Sequence, residues 1–260
     1  MTKIKIYVAS HKEYAMPQDS LYQPIFVGSS LKNGVPAGYQ PDNTGDNISN
    51  KNPNYNELTA LYWIWKNDQN SRVIGLDHYR RYLGAKAGHQ LADRLTTEQI
   101  DNLLNQADII LPKARNYYIE NQEDHYLHAH AHQPYEIMKT VLAKQFPKYC
   151  PAFQALEKST SAHLFNMFIM PRAYFDEYAT FVFAVLAEVE QQVDIEQLEG
   201  QEKRVFGFLS ELLMDTWVNT KGLKVVECPV INLEKTNWLD KGYQFLKRKF
   251  LPNTKKKVHF

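Results

Sequence analysis

A chain of 260 residues that is 44% hydrophobic and 23% charged can bury a substantial core, which excludes a disordered segment and a disulfide-stapled miniprotein. Thirty basic side chains against 29 acidic ones leave a formal charge of +1, too little for nucleic-acid binding driven by net charge. Cys150 and Cys228 lie far apart and outside any CxxC spacing, which fits a reducing compartment better than a secreted disulfide framework.

The opening MTKIKIYVASHKEY lacks the apolar core and cleavage site of a signal peptide, and no later run approaches ~18 apolar residues, so a cytoplasmic protein is expected. Lys3 to Ala9 alternates in a run rich in Ile, Tyr and Val and predicts a buried strand ending on Ser10, His11 and Lys12. From Gln18 to Pro53 the chain is rich in Pro, Gly, Asn, Asp and Ser and reads as a long ordered loop. Asn52-Pro53 offers an N-cap and a first-turn proline for a helix carrying Leu58, Leu61, Tyr62 and Trp65. Arg72 to Leu76 is a second strand, with Asp77-His78-Tyr79-Arg80-Arg81-Tyr82 at its end. Thr96 with Gln99 opens a helix through Leu104, and Asp108 to Leu111 makes a third strand closed by Pro112. Further on come a helix from Tyr135 to Lys144, a strand from Leu164 to Met170, a helix from Tyr174 to Gln192, a helix from Phe206 to Val218 and a strand from Lys224 to Ile231. This alternation predicts a single α/β domain, a mainly parallel sheet flanked by helices, with ligands beyond the carboxyl ends of the strands.

Several segments could carry chemistry, and each also has a plain structural reading. The loop from Pro41 to Asn52 can fix its own backbone or donate to hydroxyls and phosphates; it contains neither a GxGxxG nor a P-loop pattern. Arg80 and Arg81 beside His78 suit a diphosphate through paired charge-assisted bonds, and His11 and Lys12 at another strand end add to that site, against a surface salt bridge as the alternative. His128, His130 and His132 would share one face of an extended strand and could ligate a metal, the basis for an alternative reading as a metal-dependent hydrolase. Glu211, with Arg204 upstream, could be a general base or a solvated helix glutamate; Asp77, Asp42, Asp46 and Glu57 are competing carboxylates. From Lys241 to Phe260 there are seven cations and no carboxylate, the composition of a membrane-surface segment or of a solubilising tail.

The series IYVASHK, DNTGDNISNKNPNYNELTALYWIWKN, GLDHYRRYLG, NMFIMPRAYFDEY and RVFGFLSELL resembles a bacterial family long filed as a domain of unknown function in capsule, lipopolysaccharide and exopolysaccharide gene clusters. That family is taken to consist of glycosyltransferases and is similar to galactofuranosyltransferases. The likeness runs over residues 3–232. It implies a GT-A-like fold with a Rossmann-type sheet in residues 1–240, followed by a basic tail over 241–260 that suits a peripheral place on the inner membrane. It further implies a UDP-sugar donor, galactofuranose being one such sugar, and a polyprenyl-diphosphate-linked glycan acceptor in surface polysaccharide synthesis. Many GT-A enzymes hold the diphosphate through a DxD-bound metal; this sequence has no DxD. His78, Arg80 and Arg81, with His11 and Lys12, are therefore expected to replace the metal's charge, and no cofactor is expected, manganese or magnesium being the less favoured alternative. By the same resemblance Glu211 is the expected base of an inverting transfer, with Asp77 second. Asp42, Thr44, Gly45, Asn47 and Asn52 are expected to grip the donor, with Asn166 and Arg204 near it and Trp63 or Trp65 lining the cleft. A noncatalytic saccharide-binding protein is the remaining alternative.

Overall fold

Strand β1 (Ile4–Ser10) is buried along nearly all of its length, as a β-branched run flanked by neighbours on both sides has to be. The computed structural model describes residues 3–234. Strands β2 (Tyr22–Phe26) and β3 (Gln40–Pro41) lie inside the stretch expected to be loop. Gln23 and Pro24 interrupt the apolar run of β2, so its strand period is hidden in the sequence, while Tyr22, Ile25 and Phe26 are buried. The helix expected after Asn52 is two helices, α1 (Asn52–Tyr55) and α2 (Leu58–Asn67). Asn56 breaks it with a φ of 50°, and Asn52 Nδ2 donates to the Asn56 carbonyl at 2.7 Å.

Strand β4 (Val73–His78) returns as β5 (Arg81–Leu83). Helix α3 (Thr97–Leu104) carries the expected capping box, with Gln99 N donating to Thr96 Oγ1 at 3.3 Å and Thr96 N to Gln99 Oε1 at 3.0 Å. After β6 (Ile109–Pro112) and β7 (Arg115–Asn116) come α4 (Gln122–Ala129), α5 (His132–Gln145) and α6 (Cys150–Lys158). Neither α4 nor α6 stood out as a helix in the sequence. Strands β8 (Ser161–Ala162) and β9 (Phe168–Pro171) precede α7 (Arg172–Glu190) and α8 (Val205–Lys221). The expected last strand divides at Pro229 into β10 (Val225–Cys228) and β11 (Val230–Asn232), since proline has no N–H to donate to a ladder.

The main sheet runs in the order β10-β6-β9-β4-β1-β2-β3. Along this path the neighbours are parallel at β10/β6, β4/β1, β1/β2 and β2/β3 and antiparallel where β9 meets β4 and β6; off it, β5 pairs antiparallel with β4 and with β11. One hydrophobic cluster, containing Leu61, Phe175, Phe206 and Trp217, packs α2, α7 and α8 on one face. A second, containing Ile6, Val8, Ile100 and Ile169, covers the other face beneath α3. The carboxyl ends of β1 and β4 therefore share one edge, and the reversed β9 begins at that same edge. Among the described residues no helix is long and apolar enough to cross a membrane. The basic segment over 241–260 lies outside the described residues.

Candidate active site

A cavity of about 300 Å³ opens beyond the carboxyl ends of β1 and β4, where open α/β sheets bind their ligands. The end of β1 brings Ser10 and His11; the β4–β5 return brings His78, Arg80 and Arg81. The α1–α2 break brings Asn56 and Glu57, with Asn52 from α1, while Phe165 enters from the turn before β9. Arg204 and the first turns of α8, with Gly207, Phe208 and Glu211, close the wall. His11 and the adjacent pair Arg80 and Arg81, from two different strand ends, thus meet in one cavity.

The positive charge of this cavity belongs to its arginines. Arg80 Nη1 pairs with Glu234 at 2.7 Å, whereas Arg81 has no carboxylate at ion-pair distance among the described residues and lies with its guanidinium 4.7 Å from the Phe165 ring centre. Burial and the neighbouring Arg80 push the Arg81 pKa down from its usual value, opposed by attraction to Glu211 and Glu57; arginine remains charged at neutral pH. Arg204 Nε donates to Asn56 Oδ1 at 3.1 Å, and its guanidinium stands 5.2 Å over Phe208.

The histidines do not supply the expected charge. Burial, reinforced by Arg81 and Arg204 and opposed by Glu57, pushes His78 down to about 4. Burial and then Lys12, Arg80, Lys32 and Arg204 lower His11. Both rings are neutral near pH 7, first because burial disfavours their charged form and then because the neighbouring cations repel it. The His78 Nε2 is buried without a hydrogen-bond partner. Lys12 is not in the cavity wall; its ammonium sits 5.5 Å and 5.3 Å from the ring centres of Tyr14 and Tyr79.

Two carboxylates face these groups. Glu211 Oε1 accepts the Phe165 N–H at 3.1 Å, and Glu57 Oε1 accepts from Asn166 Nδ2 at 2.6 Å. Burial, then repulsion from Glu57, raises Glu211 to about 7 against the pull of the Phe165 N–H, Arg81 and Arg204. A carboxyl balanced near neutrality is suited to exchanging a proton with a substrate hydroxyl.

Several expected site residues lie outside the wall. Asp77 is fully buried on the far side of β4, weakly accepting the Leu83 N–H at 3.3 Å and 3.4 Å, and burial raises its pKa well above the carboxylate range. Asp42, also fully buried, accepts from Gly28 N, Ser29 N, Ser49 Oγ and Thr59 Oγ1 within 2.9 Å and so ties the loop to α2. Thr44 accepts from Trp63 Nε1 at 2.9 Å, Gly45 turns at a φ of 57° against Asn67, and Asn47 bonds its own loop. Trp63 is pinned by that bond and Trp65 stacks on Phe183, so neither indole lines the cavity. Asn166 stands behind the wall, buried at 3% exposure.

The histidine series is not an extended strand. Asn121 caps α4 by accepting the Asp124 N–H at 2.7 Å, and the helix sends the rings to separate partners. His128 Nδ1 lies 3.0 Å from Glu120, His130 stacks on Phe208 at 4.1 Å, and His132 Nε2 lies 2.9 Å from the Leu127 carbonyl. Among the described residues no three His, Cys, Asp or Glu side chains are placed to hold one ion. The donor set of the hydrolase reading is therefore not assembled, and the cavity's two carboxylates facing three arginines are suited to an anion better than to a metal.

Sequence reasoning missed Asn56, Phe165, Gly207 and Phe208, and named Glu57 only as a competitor. One signal was present: a glycine in the first turn of a helical pattern marks a close approach. A Cβ on Gly207 would meet Asn56 Oδ1 at 3.4 Å. Asn56, Phe165 and Asn166 are three of the four non-glycine residues with positive φ among the described residues, the concentration of backbone strain typical of functional sites.

These features define an α/β protein with an arginine-lined cavity at the carboxyl edge of its sheet. The chain belongs to the family described as a domain of unknown function (DUF4422), whose model matches residues 5–222. It is similar to the apo structure of the WbbM bifunctional glycosyltransferase, with 28% sequence identity and a TM-score of 0.81 over 90% of this chain and 46% of that one. The chain thus spans less than half of that enzyme. No curated protein matches the sequence.

Proposed function

We propose that this chain is a glycosyltransferase that takes a sugar from a nucleoside diphosphate donor and passes it to a glycan hydroxyl. The observation that carries this reading is Arg81. It is a half-buried guanidinium in a cavity wall without a carboxylate partner among the described residues, and buried charges are stable only when paired. A donor's diphosphate supplies that partner, with Arg80 and Arg204 beside it and the neutral His78 Nε2 available for one more hydrogen bond. As the sugar leaves, the bond from its anomeric carbon to the phosphate oxygen breaks and the arginines stabilise the growing charge on the diphosphate. The acceptor oxygen bonds to the anomeric carbon from the other side and its proton passes to Glu211, which makes the transfer inverting.

Finer assignments rest on the family resemblance. They are a UDP-linked donor, galactofuranose as the sugar, and a polyprenyl-diphosphate-linked acceptor at the inner membrane surface in polysaccharide assembly. The test is UDP release from a panel of UDP-sugars, UDP-galactofuranose included, with acceptor glycan and with manganese or a chelator. Acceptor-dependent release from one donor that survives the chelator is expected. Glycan binding without release from any donor supports a saccharide-binding protein instead, and stoichiometric bound zinc supports the hydrolase.

A further inference from the structure

The two cavity carboxylates are both addressed by the same two-residue turn. Phe165 and Asn166 stand at φ 79° and φ 52°, a conformation that is costly for a phenylalanine and is held here by its surroundings. With the backbone so turned, the Phe165 N–H reaches Glu211 Oε1 at 3.1 Å. The Asn166 side chain points the other way, its Nδ2 donating to Glu57 Oε1 at 2.6 Å and to the Gly207 carbonyl at 3.2 Å. Its remaining acceptor is also within reach: the single proton of Ser210 Oγ is shared between Asn166 Oδ1 at 3.0 Å and the Gly207 carbonyl at 2.8 Å. Asn166 is thus locked to α8, and an amide N–H held in one place can only donate. A group that only donates favours the ionised form of the carboxyl it touches.

We propose that Asn166 is a positioning residue whose amide holds the Glu57 carboxylate in place in the cavity, leaving Glu211 as the carboxyl free to take up the acceptor's proton. In the transferase reading, on which the role but not the geometry rests, Glu57 so held faces the positive charge that develops at the sugar ring as the donor bond breaks. Division of labour between two nearby carboxyls by unequal surroundings is a general way to place one proton. The groups that face Glu211 are Glu57 from the helix break, Arg81 from β5, Arg204 from the start of α8 and the Phe165 N–H, with Tyr178 of α7 packed within the field of both glutamates. His78, which also feels Glu57 and Arg81, is neutral and does not compete for the charge. Burial and then the neighbouring Glu57 raise Glu211, so the placement of Glu57 bears directly on Glu211.

The test is carbon-detected NMR titration of the full chain with labelled glutamate carboxyls, in wild type, Asn166→Gly and Glu57→Gln. Glycine suits the left-handed turn, so Asn166→Gly removes the amide without adding backbone strain; Glu57→Gln removes the charge at constant shape. In Asn166→Gly the untethered Glu57 is expected to leave a lower Glu211 midpoint, and in Glu57→Gln the Glu211 midpoint falls by about half a pH unit or more. Unchanged Glu211 midpoints in both folded variants would overturn the inference. A chain that shows the expected shifts yet turns over no nucleotide sugar supports the positioning role and contradicts the transferase reading, so the two can fail separately.

Discussion

Alternation along a strand sends neighbouring side chains to opposite faces, and at the end of β4 this decides which acid can act. His78 faces the cavity, so Asp77 points to the other side, where burial pushes its pKa well above the usual carboxylate range. Asp77 is thus no rival to Glu211. Its raised pKa means that stability is fully present below the usual carboxylate range and falls as pH rises through the folded-state value. Asp77→Asn is accordingly expected to be at least as stable as wild type at pH 8 and to melt with less dependence on pH, as read by thermal unfolding between pH 5 and pH 9. Glu211, raised to about 7, follows the same sign for stability, while activity runs the other way because a base must be ionised. Turnover is expected to rise with pH through about 7. Glu211→Gln is expected to lower kcat by ~10²–10⁴ without loss of melting temperature; a variant that keeps its rate would remove Glu211 from the chemistry.

The polar loop before α1 shows how a segment that resembles a ligand site can be scaffold. Asp42 has four protein donors on its carboxylate, two of them the backbone N–H groups of Gly28 and Ser29. Its position fixes the approach of Asn52 to Gly28, where the chain turns at a φ of 70°. Short polar side chains serve both loops and ligands equally well, so composition could not separate the two uses. Removing the carboxylate leaves buried donors unsatisfied at ~1–3 kcal/mol each. Asp42→Ala is expected to shift the urea midpoint by the equivalent of ~3 kcal/mol or more. Unchanged stability with lost donor binding would instead return Asp42 to the site. The break at Asn56 is a similar case: Tyr55 and Leu58 keep helical spacing across it in sequence, with no glycine or proline to mark it, while the bond from the Asn52 side chain to the Asn56 carbonyl fixes the turn that sends Glu57 inward.

Across the whole molecule, what was legible were the features that depend on local physics. The apolar runs of β1 and β4, the capping box at Thr96 and the parallel arrangement follow from periodicity and caps, and parallel strands place their carboxyl ends together. That is why His11, Arg80 and Arg81 could be expected to converge. What was not legible depends on partners distant in sequence. Strand β2 is masked by Gln23 and Pro24, the reversed β9 carries no local mark of its direction, and the neutrality of His78 and His11 arises from burial, and then from cations, that other elements bring. The same convergence sets the most direct measurement, which is calorimetric titration of UDP, with UMP and uridine as controls, into wild type and Arg81→Met. The expected result is that UDP binds more tightly than UMP or uridine and weakens by ~10–100-fold in Arg81→Met, the equivalent of losing one charge-assisted pair. UDP affinity that is equal in the two proteins, or no greater than that of uridine, would contradict a diphosphate held by the arginines of this cavity.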